Sequence, residues 1–108
     1  MKKFSDILPT LDNIDHLQAM ELLNQEGTIV GIIENKPGSQ GSLKLYHHLW
    51  KKWGKIDSQA AHEGLVLYAE HTEDAKKNPG KHPNIDRLFN IIEQNNALEI
   101  NAIPVAVI

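Results

Sequence analysis

Two loops rich in proline and glycine carry the residues of this chain that are best suited to chemistry. Residues 35–43 (NKPGSQGSL) include Lys36, and residues 78–86 (NPGKHPNID) include Lys81 and His82. Each loop leads into a predicted helix, where free backbone N–H groups and the helix dipole favour a negative charge. A phosphate or carboxylate bound at either helix start is therefore the first chemistry that the sequence suggests.

Turn chemistry offers a simpler explanation of both loops. Proline fixes φ, glycine permits positive φ, and Ser42 and Asn84 are good helix caps. Neither loop has the spacing of a P-loop or of a dinucleotide-binding motif. Lys81 and His82, however, are not needed to stop or start a helix. If the protein has a ligand site, we expect the loop from Gly80 to Asn84 to form part of it, with anion affinity rising on mild acidification.

The histidines raise the alternative of a metal site. The chain has six, and none shows the H-E-x-x-H spacing of a zinc protease. A site that combines His71 with Glu70 and His82 requires the second loop to fold back onto the preceding helix. Because the histidines are scattered, solvated or hydrogen-bonded side chains explain them better, and no metal is expected. Metal binding through His71 and His82 stays as an alternative.

No catalytic residue is predicted. The serines fall in loops or at caps, and no G-x-S-x-G nucleophile elbow occurs. Glu70 and Asp74 lie one turn apart on a polar helix face, which is typical of solvated surface. The sequence favours a non-catalytic protein over an enzyme and predicts no cofactor. The candidate ligand-binding residues are Lys36, His71, Lys81, His82 and Asn84.

A basic helix face is the remaining candidate, as a nucleic-acid patch. The aromatic residues of the same helix lie on its other side, which is typical of core residues rather than stacking platforms. A formal net charge of −3 argues against nucleic-acid binding by this face, and we interpret it as solvated. The face comprises Lys44, His48, Lys51, Lys52 and Lys55, and the aromatics are Tyr46, Trp50 and Trp53, of which Trp50 is expected in the core.

The elements that position these residues follow from periodicity and turn signals. Residues 17–24 and the β-branched run 28–33 predict a hairpin around Gly27. Ser5 is expected to cap a short helical turn. Ser42 predicts a helix over 43–53 that ends at Gly54; Asp57 or Ser58 caps a helix that runs to about Lys77; and Asn84 caps a third. Alternation over 98–102 predicts a last strand.

The resulting order is β-β-α-α-α-β in a single domain over residues 1–108. Because a lone hairpin is marginally stable, the last strand is expected to join it. The predicted fold class is therefore α+β, with a small antiparallel sheet packed on one face against about three helices.

Composition limits the classes of protein. Apolar residues are 41% and charged residues 23%, as in soluble globular proteins, and no apolar run is long enough to span a bilayer. The absence of cysteine excludes disulfides and cysteine-ligated metals. Asp6 and Pro9 interrupt any signal peptide, so a cytoplasmic location is expected. The uncharged run 102–108 (AIPVAVI) suggests a pairing surface for a protein partner or a homodimer.

Several strings together resemble a family of short bacterial proteins of uncharacterised function. They are IENKPG (33–38), GSL (41–43), AEHTEDAKKNPGKHPNIDRL (69–88) and FNIIE (89–93). The resemblance implies a bacterial, stand-alone cytoplasmic protein and brings no activity. A non-catalytic binding or protein-interaction module is thus our first interpretation. The alternatives are a small-anion-binding protein or enzyme that uses the Gly80–Asn84 loop, and the metal-binding protein described above.

Overall fold

The structure is a computed structural model, and it describes residues 2–106. The described part contains five α-helices, three strands and one 3-10 turn. The last two residues of the apolar C-terminal run, Val107 and Ile108, lie outside it. The helices are α1 (Phe4–Ile7), α2 (Gln40–Trp53), α3 (Ser58–Leu67), α4 (Glu70–Lys77) and α5 (Pro83–Gln94); the strands are β1 (Leu17–Leu23), β2 (Ile29–Glu34) and β3 (Glu99–Pro104); and the 3-10 turn is Leu8–Thr10.

The sheet is built as the alternation predicts. β1 and β2 form the expected hairpin, and Gly27 in its turn has φ 83°. β3 pairs antiparallel with the other side of β1, so Met20 of β1 lies opposite both Ile33 and Ala102. The strand order is β2-β1-β3. The prediction that the last strand joins the hairpin is therefore confirmed.

Helices cover one face of the sheet. Met20, Leu22 and Ile33 are buried in the same core cluster as the helix side chains. On the opposite face Ile32 and Asn101 are exposed. The α+β class and the layer arrangement are as predicted, although the number of helices is larger than about three.

Close packing of the helices depends on Gly64 in α3. A Cβ at this position would lie 2.7 Å from Leu88 Cδ1 and 3.0 Å from Leu49 Cδ1. These leucines belong to α5 and α2, so the glycine lets α3 approach both helices. A larger residue at this position would force the side chains of Leu88 and Leu49 to shift.

The single long helix predicted after Asp57 is wrong, because it breaks into α3 and α4. Its start is right, since Asp57 caps α3 by accepting a hydrogen bond from the Ala60 N–H at 2.9 Å. At the break, Ala69 has φ 55° and ψ −120°, a strained conformation for a residue with a Cβ. The Thr72 hydroxyl donates to the Leu65 carbonyl, which Ala69 would have paired in a continuous helix. No glycine or proline marks this break in the sequence.

The other three predicted helix starts are wrong by two or three residues. α2 begins at Gln40 with Ser39 at the N-cap, rather than after Ser42. α5 begins at Pro83 with His82 at the N-cap, because proline is preorganised for the first helical position. Asn84 therefore lies inside the first turn. In α1 the N-cap is Lys3 rather than Ser5.

The prediction that Trp50 is a core residue also needs correction. Trp50 is half-buried and packs against the margin of the core. On α2 the buried side chains are instead Leu43, Leu45, Tyr46, His47 and Leu49. Within residues 2–106, no helix has the length and apolar character needed to cross a membrane.

Candidate functional site

The two proline–glycine loops meet at one cavity of about 440 Å³. They come from distant parts of the sequence, and each delivers the first turn of a helix to this place. The first loop and the start of α2 contribute Gly38, Gln40, Gly41 and Ser42, and the second loop and the start of α5 contribute Lys81, His82, Pro83, Asn84 and Ile85. The remaining wall is formed by Phe4, Tyr68 and His71.

The carboxylate of Asp74 in α4 holds the second loop in place. Its Oδ2 accepts from His82 Nε2 at 2.7 Å and pairs with Lys81 Nζ at 2.9 Å, and its Oδ1 accepts from Asn78 Nδ2 at 3.0 Å. The hydrogen bond from His82, followed by that from Lys81, holds the pKa of Asp74 well below its usual range. The loop therefore folds back onto α4, as a site containing both His71 and His82 requires.

Rings form a continuous wall on one side of the cavity. Phe4 stacks on Tyr68 at a centroid distance of 5.2 Å and meets the edge of His71 at 5.3 Å. The His71 ring lies 5.6 Å from the ring of His82. The Phe4 N–H donates to Glu70 Oε1 at 2.7 Å, which lowers the pKa of Glu70 and attaches α1 to the start of α4.

Tyr68 also joins the wall to the start of α2. Its hydroxyl donates to Ser42 Oγ at 2.7 Å. Burial raises the pKa of Tyr68 above its usual value, so this hydroxyl stays protonated. Since Ser42 accepts the tyrosine hydrogen, its own hydroxyl hydrogen is free to be donated elsewhere.

Backbone donors complete the lining. Among residues 2–106, the N–H groups of Gly41, Ser42 and Asn84 form no hydrogen bond within the protein. All three residues line the cavity. They belong to the first turns of α2 and α5, where unpaired donors and the positive end of the helix dipole occur together.

The structure brings together four of the five predicted ligand-binding residues. His71, Lys81, His82 and Asn84 line the cavity. Lys36 does not: it pairs with Glu34 at 3.6 Å, and both side chains are more than half exposed. The first loop reaches the cavity through its later residues rather than through its lysine.

The sequence does not indicate the aromatic wall formed by Phe4 and Tyr68, or the role of Asp74 as the anchor of the second loop. The sequence places Asp74 on a solvated helix face, and it selects neither Phe4 nor Tyr68 as a candidate site residue. Gly41 is the one local signal, because a Cβ there would lie 3.1 Å from Phe4 Cε2. A glycine inside the first turn of a helix indicates a close neighbour without identifying it.

The metal alternative gains no support from this geometry. His82 Nε2 is already bonded to Asp74, and the rings of Phe4 and His71 pack nearly perpendicular to each other. In the part of the chain that the structure describes, no three histidine or acidic side chains converge to hold a metal ion.

The basic face of α2 gains no support as a nucleic-acid patch either. Glu63 of α3 binds His48 Nε2 at 2.7 Å, Lys52 Nζ at 2.8 Å and Trp53 Nε1 at 3.0 Å. Partial burial raises the pKa of Glu63, but these hydrogen bonds outweigh it and lower the pKa overall. Lys51 pairs with Asp12 at 3.5 Å. Much of the positive charge is therefore neutralised within the protein.

Comparison with known proteins places the chain in a family. A model of uncharacterised proteins conserved in bacteria (DUF2322) matches residues 4–102, and the chain belongs to this family. The predicted resemblance is thus confirmed. No curated protein and no solved structure matches the chain.

Proposed function

We propose that this member of the bacterial family binds a small organic anion in the cavity between its two proline–glycine loops. The observation that supports this proposal is the convergence of both loops on one cavity, together with Lys81, His82 and the first turns of α2 and α5. Local turn chemistry explains each loop separately, but it does not require them to share a cavity.

The charge at the cavity suits a monoanion. Asp74 neutralises Lys81, and protonation of His82 adds one further positive charge to this pair. The unpaired N–H groups of Gly41, Ser42 and Asn84 are donors that no carboxylate of the described residues occupies. Donors held in place by helices bind an anion without the entropy cost of ordering flexible side chains.

The volume and the wall favour an organic ligand over a bare inorganic ion. About 440 Å³ lies within the range of small-molecule sites. The rings of Phe4 and His71 offer apolar surface beside the donors, with Tyr68 buried against Phe4. A carboxylate or phosphate ester attached to an apolar body would contact both the donors and the rings.

An enzyme that uses the same loop is the second candidate, and the His82–Asp74 pair favours it. A carboxylate that orients an imidazole is a common arrangement in general base catalysis. In residues 2–106, however, no nucleophile forms a hydrogen bond with His82, and Ser42 Oγ accepts from Tyr68 instead. Binding without catalysis is therefore the function that the geometry favours.

Titration with inorganic phosphate and with benzoate, followed by amide NMR shifts at pH 6 and pH 8, tests the proposal. We expect shifts at Gly41, Ser42, Lys81, His82 and Asn84, stronger at pH 6 because a protonated imidazole adds charge. Benzoate should bind more tightly than phosphate, since its ring can contact the aromatic wall.

Lys81→Ala and Lys36→Ala form a matched pair of variants. Each removes one lysine from a proline–glycine loop, but only Lys81 lines the cavity. We expect Lys81→Ala to weaken benzoate binding about tenfold, and Lys36→Ala to leave it unchanged. Equal effects of both variants, or no shift at millimolar concentrations of either anion, would contradict the proposed site.

A further inference from the structure

A second cavity, of about 400 Å³, lies beside α5 and shares only Pro83 with the cavity between the two proline–glycine loops, here called the loop cavity. Its walls are aliphatic at the half-exposed Val30 and at the margin of the core, where Ile91 and Leu98 lie. Arg87 supplies its positive charge. The contacts of Arg87 therefore decide what this cavity can bind.

Arg87 reaches from α5 to β2, where Gly31 leaves room for its guanidinium group. A Cβ at Gly31 would lie 2.9 Å from Arg87 Nη2 and 3.3 Å from Cδ1 of the buried Leu22. A glycine inside a strand often marks a place where another group comes close to the backbone. The apolar run of β2 is thus interrupted at the residue where the guanidinium group needs space.

The protein holds the guanidinium group by one of its three nitrogens. Arg87 Nη1 donates to Asn84 Oδ1 at 2.8 Å and to Tyr46 Oη at 3.3 Å, which uses both of its hydrogens. Tyr46 Oη donates in turn to the Asn84 carbonyl at 2.6 Å, so both acceptors are fixed to the start of α5. Within residues 2–106, Nε and Nη2 have no acceptor, and neither is sealed from solvent. One edge of the guanidinium group is therefore free.

The charge of Arg87 is also without a counter-ion. No carboxylate among the described residues forms an ion pair with it. Asp86 lines the same cavity, but its Oδ2 accepts from the Gly80 N–H at 2.9 Å. Burial raises the pKa of Tyr46 to about 12, so the hydroxyl beside Arg87 is neutral at pH 7. A half-buried cation of this kind has lost part of its hydration, and a bound anion would supply the missing ion pair.

We infer that the free Nε–Nη2 edge of Arg87 binds the carboxylate of a small aliphatic acid. Two parallel N–H groups match the two oxygens of a carboxylate, which gives a bidentate, charge-assisted contact. The hydrocarbon part of the acid would lie against Val30 and the core margin at Ile91 and Leu98, where its apolar surface is removed from water. This site does not depend on the function proposed for the loop cavity.

Titration with butyrate, followed by the NMR signals of the Arg87 Nε–H and of the amides of residues 90–98, tests this inference. Butyrate should shift these signals with a dissociation constant of about 1–10 mM. Butyramide, which has the same shape and no charge, should leave them in place. Arg87→Lys keeps the charge but loses the two parallel donors, and it should weaken butyrate binding about tenfold. Gly31→Ala should also weaken it, because the added Cβ displaces the guanidinium group.

Lys81→Ala is the control that separates the two cavities, since Lys81 lines only the loop cavity. It should leave the butyrate shifts at Arg87 unchanged, whatever it does to the binding of benzoate. Circular dichroism melting confirms that the variants are folded before the comparison. A wild-type Arg87 signal that stays in place at about 50 mM butyrate overturns the inference. So do equal shifts with butyramide, an Arg87→Lys variant that binds butyrate as wild type does, or loss of the shifts in Lys81→Ala.

Discussion

The two proline–glycine loops have the same local construction and different attachments. In each, a glycine follows proline and has positive φ: Gly38 at 95° and Gly80 at 92°. Both loops end at a helix that lines the cavity. The first is tied to the sheet through Asn35, and the second is tied to a helix through Asp74. Similar turn chemistry is thus fixed by two unrelated contacts.

The lysines show what this difference does. Lys36 pairs with the carboxylate of Glu34, the last residue of β2, and stays outside the cavity. Lys81 pairs with Asp74, which lies seven residues earlier in α4, and the distance from Lys81 Nζ to Asp74 Oδ2 is 2.9 Å. This contact holds Lys81 at the rim of the cavity. A charge in a loop becomes part of a site when an anchor from another element fixes it. Three sets of variants test whether the two loops are held in these different ways.

Asn35 and Asn78 are the first residues of the two loops. The largest difference in the free energy of unfolding is expected between the variants Asn35→Ala and Asn78→Ala. The half-buried Asn35 amide donates to the carbonyls of Ile14 at 3.1 Å and Leu17 at 2.8 Å. Asn35→Ala leaves both carbonyls without this donor and should lower the free energy of unfolding by about 2 kcal/mol. Asn78 is exposed, so Asn78→Ala should cost less than about 0.5 kcal/mol.

Urea denaturation of both variants measures this difference. Equal losses of stability would mean that the first loop is not held by its asparagine.

Gly38→Ala and Gly80→Ala should lower the free energy of unfolding by equal amounts, and by less than Asn35→Ala does. Around a Cβ built at either glycine, no atom lies within 4 Å, so the cost is conformational alone. Each substitution should lower the free energy of unfolding by about 1 kcal/mol. The same urea experiment compares them, and a loss at one position only would show that the loops differ in their backbone as well as in their anchors.

The smallest effect is expected in the pH dependence of stability, to which Asp74 contributes by holding the second loop. Because the pKa of Asp74 is lower in the folded protein, its contribution to stability is present above the pKa of an unfolded aspartate, about 3.9. That contribution is lost as the pH falls through the folded value. Wild type should therefore melt at a higher temperature than Asp74→Asn at pH 7, and the gap should narrow towards pH 3.

Glu73→Gln is the control for this measurement, since it removes an exposed carboxylate of the same helix. A gap between wild type and Asp74→Asn that does not change with pH would contradict the role of the carboxylate as an anchor.

Much of the fold was predictable because its signals are local. The β-branched run predicted β2, its need for a partner across the turn predicted β1, and alternating residues predicted β3. Gly27 and Gly54 marked turns at the residues where positive φ is found. The break at Ala69 was not predictable in this way. It carries no glycine or proline, and the Thr72 hydroxyl that compensates for it acts only once the helix has broken.

The candidate site was predictable only as single residues. His71, Lys81, His82 and Asn84 could be selected because turn chemistry did not require all of them. Lys36 was selected for the same reason and lies elsewhere. The sequence favours the loop of Lys81, because neither Lys81 nor His82 is needed to stop or start a helix, but it does not indicate that Lys36 lies outside the site.

Local patterns in the sequence are enough to indicate the strands, most of the helices, the absence of cysteine chemistry and the two rigid loops. Only the folded chain shows that the loops share a cavity, that Phe4 and Tyr68 line one side of it, and that Asp74 holds the second loop in place. The difference lies in the distance along the chain over which each interaction acts. Backbone preferences act over a few residues, whereas the contact between Phe4 and Glu70 joins positions 66 residues apart and exists only after the helices have packed.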